Sequence, residues 1–208
     1  AECKGAEEVY IEFEGANSSA DVYVNGKLAV HHDGGYSTFR ANITDLLTEE
    51  SEIVVAVDNS PNDYVYPQMA DFTFYGGIYR DVNIIAVSES HFDLDYYGGP
   101  GIMVTPVIEG TTAKVGVEVF VTNKTDDQVL AYRIKDAEGN VVASITSEDT
   151  AVIFEVENVH LWNGRKDPYL YTAEAALVEG ETVVDAVSTR FGCRTFEIDP
   201  ENGFILNG

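Results

Sequence analysis

Only two cysteines, Cys3 and Cys193, occur in this chain of 208 residues, one near its start and one late. A disulfide framework needs more cysteines than this, and a structural zinc site needs close local spacing. Free thiols are therefore expected. Basic residues are also scarce: 12 Lys and Arg stand against 36 Asp and Glu, a net charge of −24. The acids are spread along the chain with no acidic tail and no basic face. Such a surface repels nucleic acid and anionic membrane, so neither is expected as a partner. Solvated strand faces account for most of the carboxylates. No run approaches the ~18 apolar residues of a membrane helix. The opening "AECKGAEEVY" has no apolar leader segment, which reads as an intracellular chain or a mature or trimmed form. There is no Gly-rich phosphate loop, no Gly-x-Ser-x-Gly elbow and no His-Glu-x-x-His. His31 and His32 are adjacent, so on a strand they point to opposite faces and do not ligate one metal together. Asp93-Leu94-Asp95 lacks the Gly and distal Glu of a calcium loop.

What is present is hydrophobicity with a period of two. The chain is 45% hydrophobic and 11% aromatic, enough for a real core. In "EVYIEFE" (8–14), Val9, Ile11 and Phe13 share one face and Tyr10, Glu12 and Glu14 the other. Asn25-Gly26 lies between two β-rich runs and predicts a hairpin, because a type I′ turn needs positive φ twice. "EIVVAV" (52–57) and "DVNIIAV" (81–87) read as strands, and "NITDLL" (42–47) as one helical turn. Between the two strands runs a long loop, 58–80, with Pro61, Pro67 and many aromatics. A loop of that length in a compact β-domain is usually functional or disordered, and its aromatics argue against disorder.

After residue 88 short strands recur at regular spacing: 113–121, 128–135, 141–147, 151–157, 170–178 and 182–191. That is the pattern of an immunoglobulin-like sandwich without the antibody cysteine pair. Trp162, the single Trp, is expected to anchor a core or domain junction. The tail "FEIDPENGFILNG" (196–208) reads as two short strands joined at Pro200 and "ENG".

Four stretches in order carry a family resemblance: "VYIEFEGANSSADVYVNGKLAVHHDGGYSTFRANIT", "DFTFYGGIYRDVNII", "LWNGRKDPYLYTAEAAL" and "RFGCRTFEIDPENGFILNG". Together they resemble the N-terminal region of family 2 glycoside hydrolases. The run "YPQMADFTFYGGIYRDV" looks more like the β-galactosidases of that family than its β-glucuronidases or β-mannosidases. The resemblance implies an all-β chain. Residues 1–88 would be a jelly-roll sugar-binding domain lacking its first strands, 89–195 an immunoglobulin-like sandwich, and 196–208 the entry to an absent (β/α)8 barrel. Both catalytic glutamates of the family sit on that barrel, so no catalytic residue is expected here. The chain is then a non-catalytic piece of a retaining enzyme for terminal β-D-galactosides, inactive alone, and the family allows a homo-oligomer.

One ligand carries over from the resemblance. The family pattern is an Asp, nine residues, then the Asp closing a Gly-Ile-aromatic-Arg-Asp run; Asp71 and Asp81 match it. Asp71 is thus the candidate contact to galactose hydroxyls and, in some members, to a sodium ion. No cofactor is expected in this chain itself; sodium or magnesium would belong to the full enzyme. A carboxylate suits the task because it accepts from two hydroxyls at once. The plainer reading of Asp71 is a turn cap. Gly76-Gly77 is read as a tight bend, Arg80 and Asp81 as structural ion-pair residues, and Phe72, Phe74, Tyr75 and Tyr79 as core packing. Two other readings of the whole chain compete: a free-standing carbohydrate-binding module, and a structural or adhesive two-domain β-protein.

Overall fold

The structure is a computed structural model and describes residue 3, residues 5–66 and residues 69–208. Pro67 lies outside the described residues. The chain is almost entirely β and divides into two compact units. One takes the residues up to Glu89 together with Leu94–Gly99; the other takes Ser90–Asp93 and Pro100–Gly208.

The first unit contains β1 (Glu8–Phe13), β2 (Ala16–Asn17), β3 (Ser19–Val24), β4 (Lys27–Asp33), β5 (Phe39–Asn42), β6 (Ile53–Asp58), β7 (Gly77–Ile78) and β8 (Val82–Val87). Two three-stranded antiparallel sheets, ordered β5-β1-β8 and β4-β3-β6, enclose the core, and the short pair β2-β7 adds to them. Val9, Ile11 and Phe13 of β1 meet Ala20, Val22 and Val24 of β3 across this core, as the period-two pattern requires. Each fully buried Val, Ile or Phe contributes about 1.5–3 kcal/mol. The predicted hairpin joins β3 to β4, with φ of 50° at Asn25 and 77° at Gly26. Asn25 also braces the neighbouring loop: its Nδ2 donates to Leu46 O (2.9 Å) and its Oδ1 accepts from Glu52 N (2.9 Å). The expected helical turn is a 3-10 turn at Thr44–Leu46.

The other face of β1 departs from expectation. Tyr10 and Glu12 lie opposite the Val9-Ile11-Phe13 face, yet both are buried as well. Their cover is polar and specific. Arg40 on β5 donates from Nε to Glu12 Oε2 (2.6 Å), and Asn83 on β8 donates to Glu12 Oε1 (3.0 Å). Arg40 Nη1 then donates to the carbonyls of Leu94 (2.9 Å) and Gly99 (2.8 Å). The segment 94–99 is thereby strapped over the polar face. Gly98 fits there because it lacks a side chain: a Cβ would stand 2.4 Å from Thr38 O, and its φ is +69°.

The second unit contains β9 (His91–Phe92), β10 (Ile102–Glu109), β11 (Thr112–Val119), β12 (Val121–Thr122), β13 (Gln128–Lys135), β14 (Val141–Ser147), β15 (Ala151–Val156), β16 (Tyr171–Glu179), β17 (Thr182–Phe191), β18 (Phe196–Asp199) and β19 (Gly203–Leu206). Sheets β10-β11-β15 and β14-β13-β16-β17 bury Val115, Val117, Leu130, Ile134, Ala173 and Leu177 between them. Strand β10 escaped the sequence reading because Pro106 interrupts it. Pro106 has no N–H to donate, and it is tolerated because β10 is an edge strand paired only with β11. Cys193 is buried and unbridged, and burial raises its thiol pKa to about 11. Trp162 is half-buried, with the Arg194 guanidinium 4.9 Å from its ring centre and Gly192 packed against it. The tail forms the expected hairpin β18-β19, exposing Phe196, Ile198 and Phe204. Among the described residues no helix is long and apolar enough to cross a membrane.

Candidate functional site

The loop from β6 to β7 carries Asp71, so its construction decides what Asp71 can do. The loop leaves β6 through an Asx turn: Asp58 Oδ1 accepts from Ser60 N (2.8 Å). Hydrogen bonds from Ser60 hold the Asp58 carboxyl below its usual range. A second Asx turn follows, in which Asn62 Oδ1 accepts from Tyr64 N (2.9 Å) and Val65 N (3.0 Å). This turn drives Val65 inward (8% exposed) while its neighbours Tyr64 and Tyr66 stand in solvent (84% and 75% exposed). Val65 lines an open cavity of about 80 Å³ together with Asn17, Asn59, Asn62 and Phe74.

The far end of the loop is pinned as firmly. Asn17 Nδ2 donates to Tyr75 O (2.8 Å). Gly76 lies on the Asn59 carboxamide, where a Cβ would come within 2.5 Å of Nδ2. Gly77 takes φ +84° and turns the chain into β7, which is the bend read from the Gly-Gly pair. The Tyr79 hydroxyl donates to Gly35 O.

Asp71 sits between these two anchored ends, exposed in a bend. Among the described residues its carboxylate has no hydrogen-bond or ion-pair partner, so it caps no turn. It does not line the 80 Å³ cavity. No group of three or more His, Cys, Asp or Glu among the described residues could hold a metal ion. To the sodium contact implied by the resemblance, Asp71 offers one carboxylate from this chain.

Two expectations about its neighbours are corrected. Among the described residues Arg80 makes no ion pair: its Nη1 donates to the backbone carbonyls of Glu14 (3.2 Å) and Tyr36 (3.1 Å), and its guanidinium lies 5.2 Å from the Tyr79 ring centre. Asp81 contributes through its backbone, accepting from Glu14 N (3.0 Å). Arg80 is exposed, so its remaining N–H donors are open to solvent. The aromatics are not core either. Phe72, Tyr75 and Tyr79 are exposed and Phe74 is half-buried, with Phe72 and Phe74 packed on each other at 4.9 Å.

The histidine pair does split between two faces. His31 is exposed between Asp21 (Nδ1–Oδ1 2.7 Å) and Asp33 (Nε2–Oδ2 3.2 Å). His32 stacks on Phe39 at 4.2 Å and shares a hydrogen bond with Ser37 Oγ (3.0 Å). The hydrogen bonds to Asp21 and Asp33 raise the His31 pKa, while burial lowers that of His32.

Two sandwiches in this order, with this loop, match known families. The model for glycosyl hydrolases family 2, sugar binding domain, matches residues 2–88, and that for glycosyl hydrolases family 2 matches residues 101–194. The chain belongs to glycosyl hydrolases family 2 and carries the domains of its N-terminal region. It is 33% identical over 96% of its length to a beta-glucuronidase of Bacteroides fragilis, and 28% identical over 96% to a beta-galactosidase of Thermoanaerobacter pseudethanolicus. It spans 31% and 28% of the lengths of those two relatives. The solved FMN-binding beta-glucuronidase from Facaelibacterium prausnitzii L2-6 superimposes with a TM-score of 0.92 at 43% identity, over 97% of this chain and 32% of that one.

Proposed function

We propose that this chain is the non-catalytic N-terminal part of a retaining family 2 β-glycosidase that removes a terminal β-linked sugar. The single observation behind this is the ordered match of both family models, one on each half of the chain. In this reading the two catalytic glutamates belong to the remainder of the full-length protein. The sandwiches support its pocket, and Asp71 reaches into that pocket to accept hydrogen bonds from sugar hydroxyls. The pinning of the loop at Asn62 and at Asn17–Tyr75 supports this role, because a carboxylate on a fixed loop costs less to order on binding.

The terminal sugar is proposed to be a β-glucuronide, on the names of the 33% and 43% identical relatives. A β-galactoside is the second reading. It rests on the "YPQMADFTFYGGIYRDV" run and on the 28% identical beta-galactosidase. The full-length protein should be assayed with 4-nitrophenyl β-D-glucuronide and β-D-galactoside, beside the 208-residue chain alone. Turnover of one substrate by the full-length protein, with none by the chain, is expected. Turnover of neither would overturn the reading.

A further inference from the structure

The strap 94–99 encloses a second feature of the first unit, apart from Asp71. A cleft of about 350 Å³ opens between the strap and strands β4 and β5, within the usual size range of small-molecule sites. His32, Ser37, Thr38 and Arg40 form its floor, and Asp95 and Tyr97 its strap side. We propose that this cleft is a second carbohydrate site, one that takes a single neutral pyranose outside the catalytic pocket.

Three observations support the assignment. First, the walls are preformed. Arg40 is fastened to Glu12 and to two strap carbonyls, His32 is stacked on Phe39 and bonded to Ser37, and Gly98 is seated directly on Thr38 O. A site that needs no ordering keeps more of its contact energy as affinity. Second, the chemistry of the lining matches a sugar. Ser37, Thr38 and His32 offer groups that both donate and accept, and a pyranose ring edge presents hydroxyls that do the same. Third, Tyr97 is 93% exposed and stands on a left-handed residue (φ 48°), braced edge-on by Tyr96 at 5.2 Å. A non-glycine residue in that conformation is uncommon, and functional sites are where such residues cluster. Tyr97 thereby sets an apolar ring face, with a polar hydroxyl at its tip, beside the donors and acceptors of the cleft. The neutral class follows from charge: Asp95 is among the residues bordering the cleft, the Arg40 guanidinium is engaged by Glu12, and the chain carries −24. A uronate would meet repulsion there.

The test is a ¹H–¹⁵N titration of the 208-residue chain with methyl β-D-galactoside and, separately, methyl β-D-glucuronide. Saturable shifts of the Ser37, Thr38, Tyr97 and Gly98 amides with the galactoside are expected, with millimolar affinity. Tyr97→Ala should weaken binding at least about tenfold, and Tyr97→Phe should retain it. No saturable shift, shifts confined to loop 59–76, or full binding by Tyr97→Ala would overturn the site. Equal affinity for the glucuronide would overturn its neutral class.

Discussion

Glu12 and Arg40 face each other across neighbouring strands with their ion pair 2.6 Å apart, and each side chain keeps only about a tenth of its exposure (12% and 10%). Removing one partner strands the other charge in a site built to neutralise it. Arg40→Met should therefore destabilise the first unit by about 3–5 kcal/mol, read by urea denaturation. Adding Glu12→Gln to that variant should recover part of the loss. A loss below about 1 kcal/mol would show that water reaches Glu12.

Asp71 makes no contact to lose among the described residues. In the full-length protein, Asp71→Asn should leave the melting temperature within about 1 °C, since surface substitutions usually move stability little. It should lower kcat/KM for the preferred β-glycoside about tenfold or more, as expected when a charge-assisted hydrogen bond is removed. A parallel fall in both would make Asp71 structural.

Gly98 tests the strap directly. Alanine there must accept φ +69° and push against a backbone carbonyl. Gly98→Ala should cost about 2 kcal/mol, with faster hydrogen exchange confined to 94–99 and the strands beneath it. Gly26→Ala is the control: it also has positive φ (+77°), but no atom lies within 4 Å of its Cβ. It should cost about half as much.

Cys193 is 1% exposed, and burial holds its thiol pKa near 11, so at pH 8 it is neither ionised nor accessible. A thiol reagent should modify Cys3 in the native chain and reach Cys193 only after denaturation. Rapid modification of both would disprove the packing of residues 161–193.

His31 gives a pH signature. Its folded pKa is raised from the ordinary 6.5 by Asp21 and Asp33. The stabilisation is fully present below the unfolded value and is lost as pH rises through the raised folded value. The melting temperature should fall across that window just above the imidazole range, and His31→Gln should remove this component of the fall. The group is fully exposed, so the effect should be small and should shrink further with added salt.

The strands and turns that follow a local rule were legible in the sequence. Asn25-Gly26, Gly76-Gly77, the alternation in β13 and the turn before β19 each follow from backbone preference or from period-two burial. The chemistry of long-range partners was not. Glu12 looks like a solvated acid because its sequence neighbours alternate correctly; only the pairing of β1 with β5 brings Arg40 to it. Arg80 looked like an ion-pair residue because a charge suggests a countercharge, but its Nη1 goes to two backbone carbonyls distant in sequence, those of Glu14 and Tyr36. Strand β10 was hidden by Pro106, whose tolerance depends on being at a sheet edge, a property of the assembled sheet. Asp71 came from resemblance alone, and the strap cleft had no local signal: its walls come from residues 30–40 and 94–98, and nothing in either stretch announces the other.

The strap also fixes where the first unit can be excised. A chain cut after Glu89 would keep Arg40 and Glu12 but discard the carbonyls of Leu94 and Gly99 that complete the guanidinium's hydrogen bonds. It would also uncover Tyr10 and Glu12, the face of β1 that the strap covers. The portable module therefore runs through Gly99, and carries with it the short stretch Ser90–Asp93 that belongs to its neighbour.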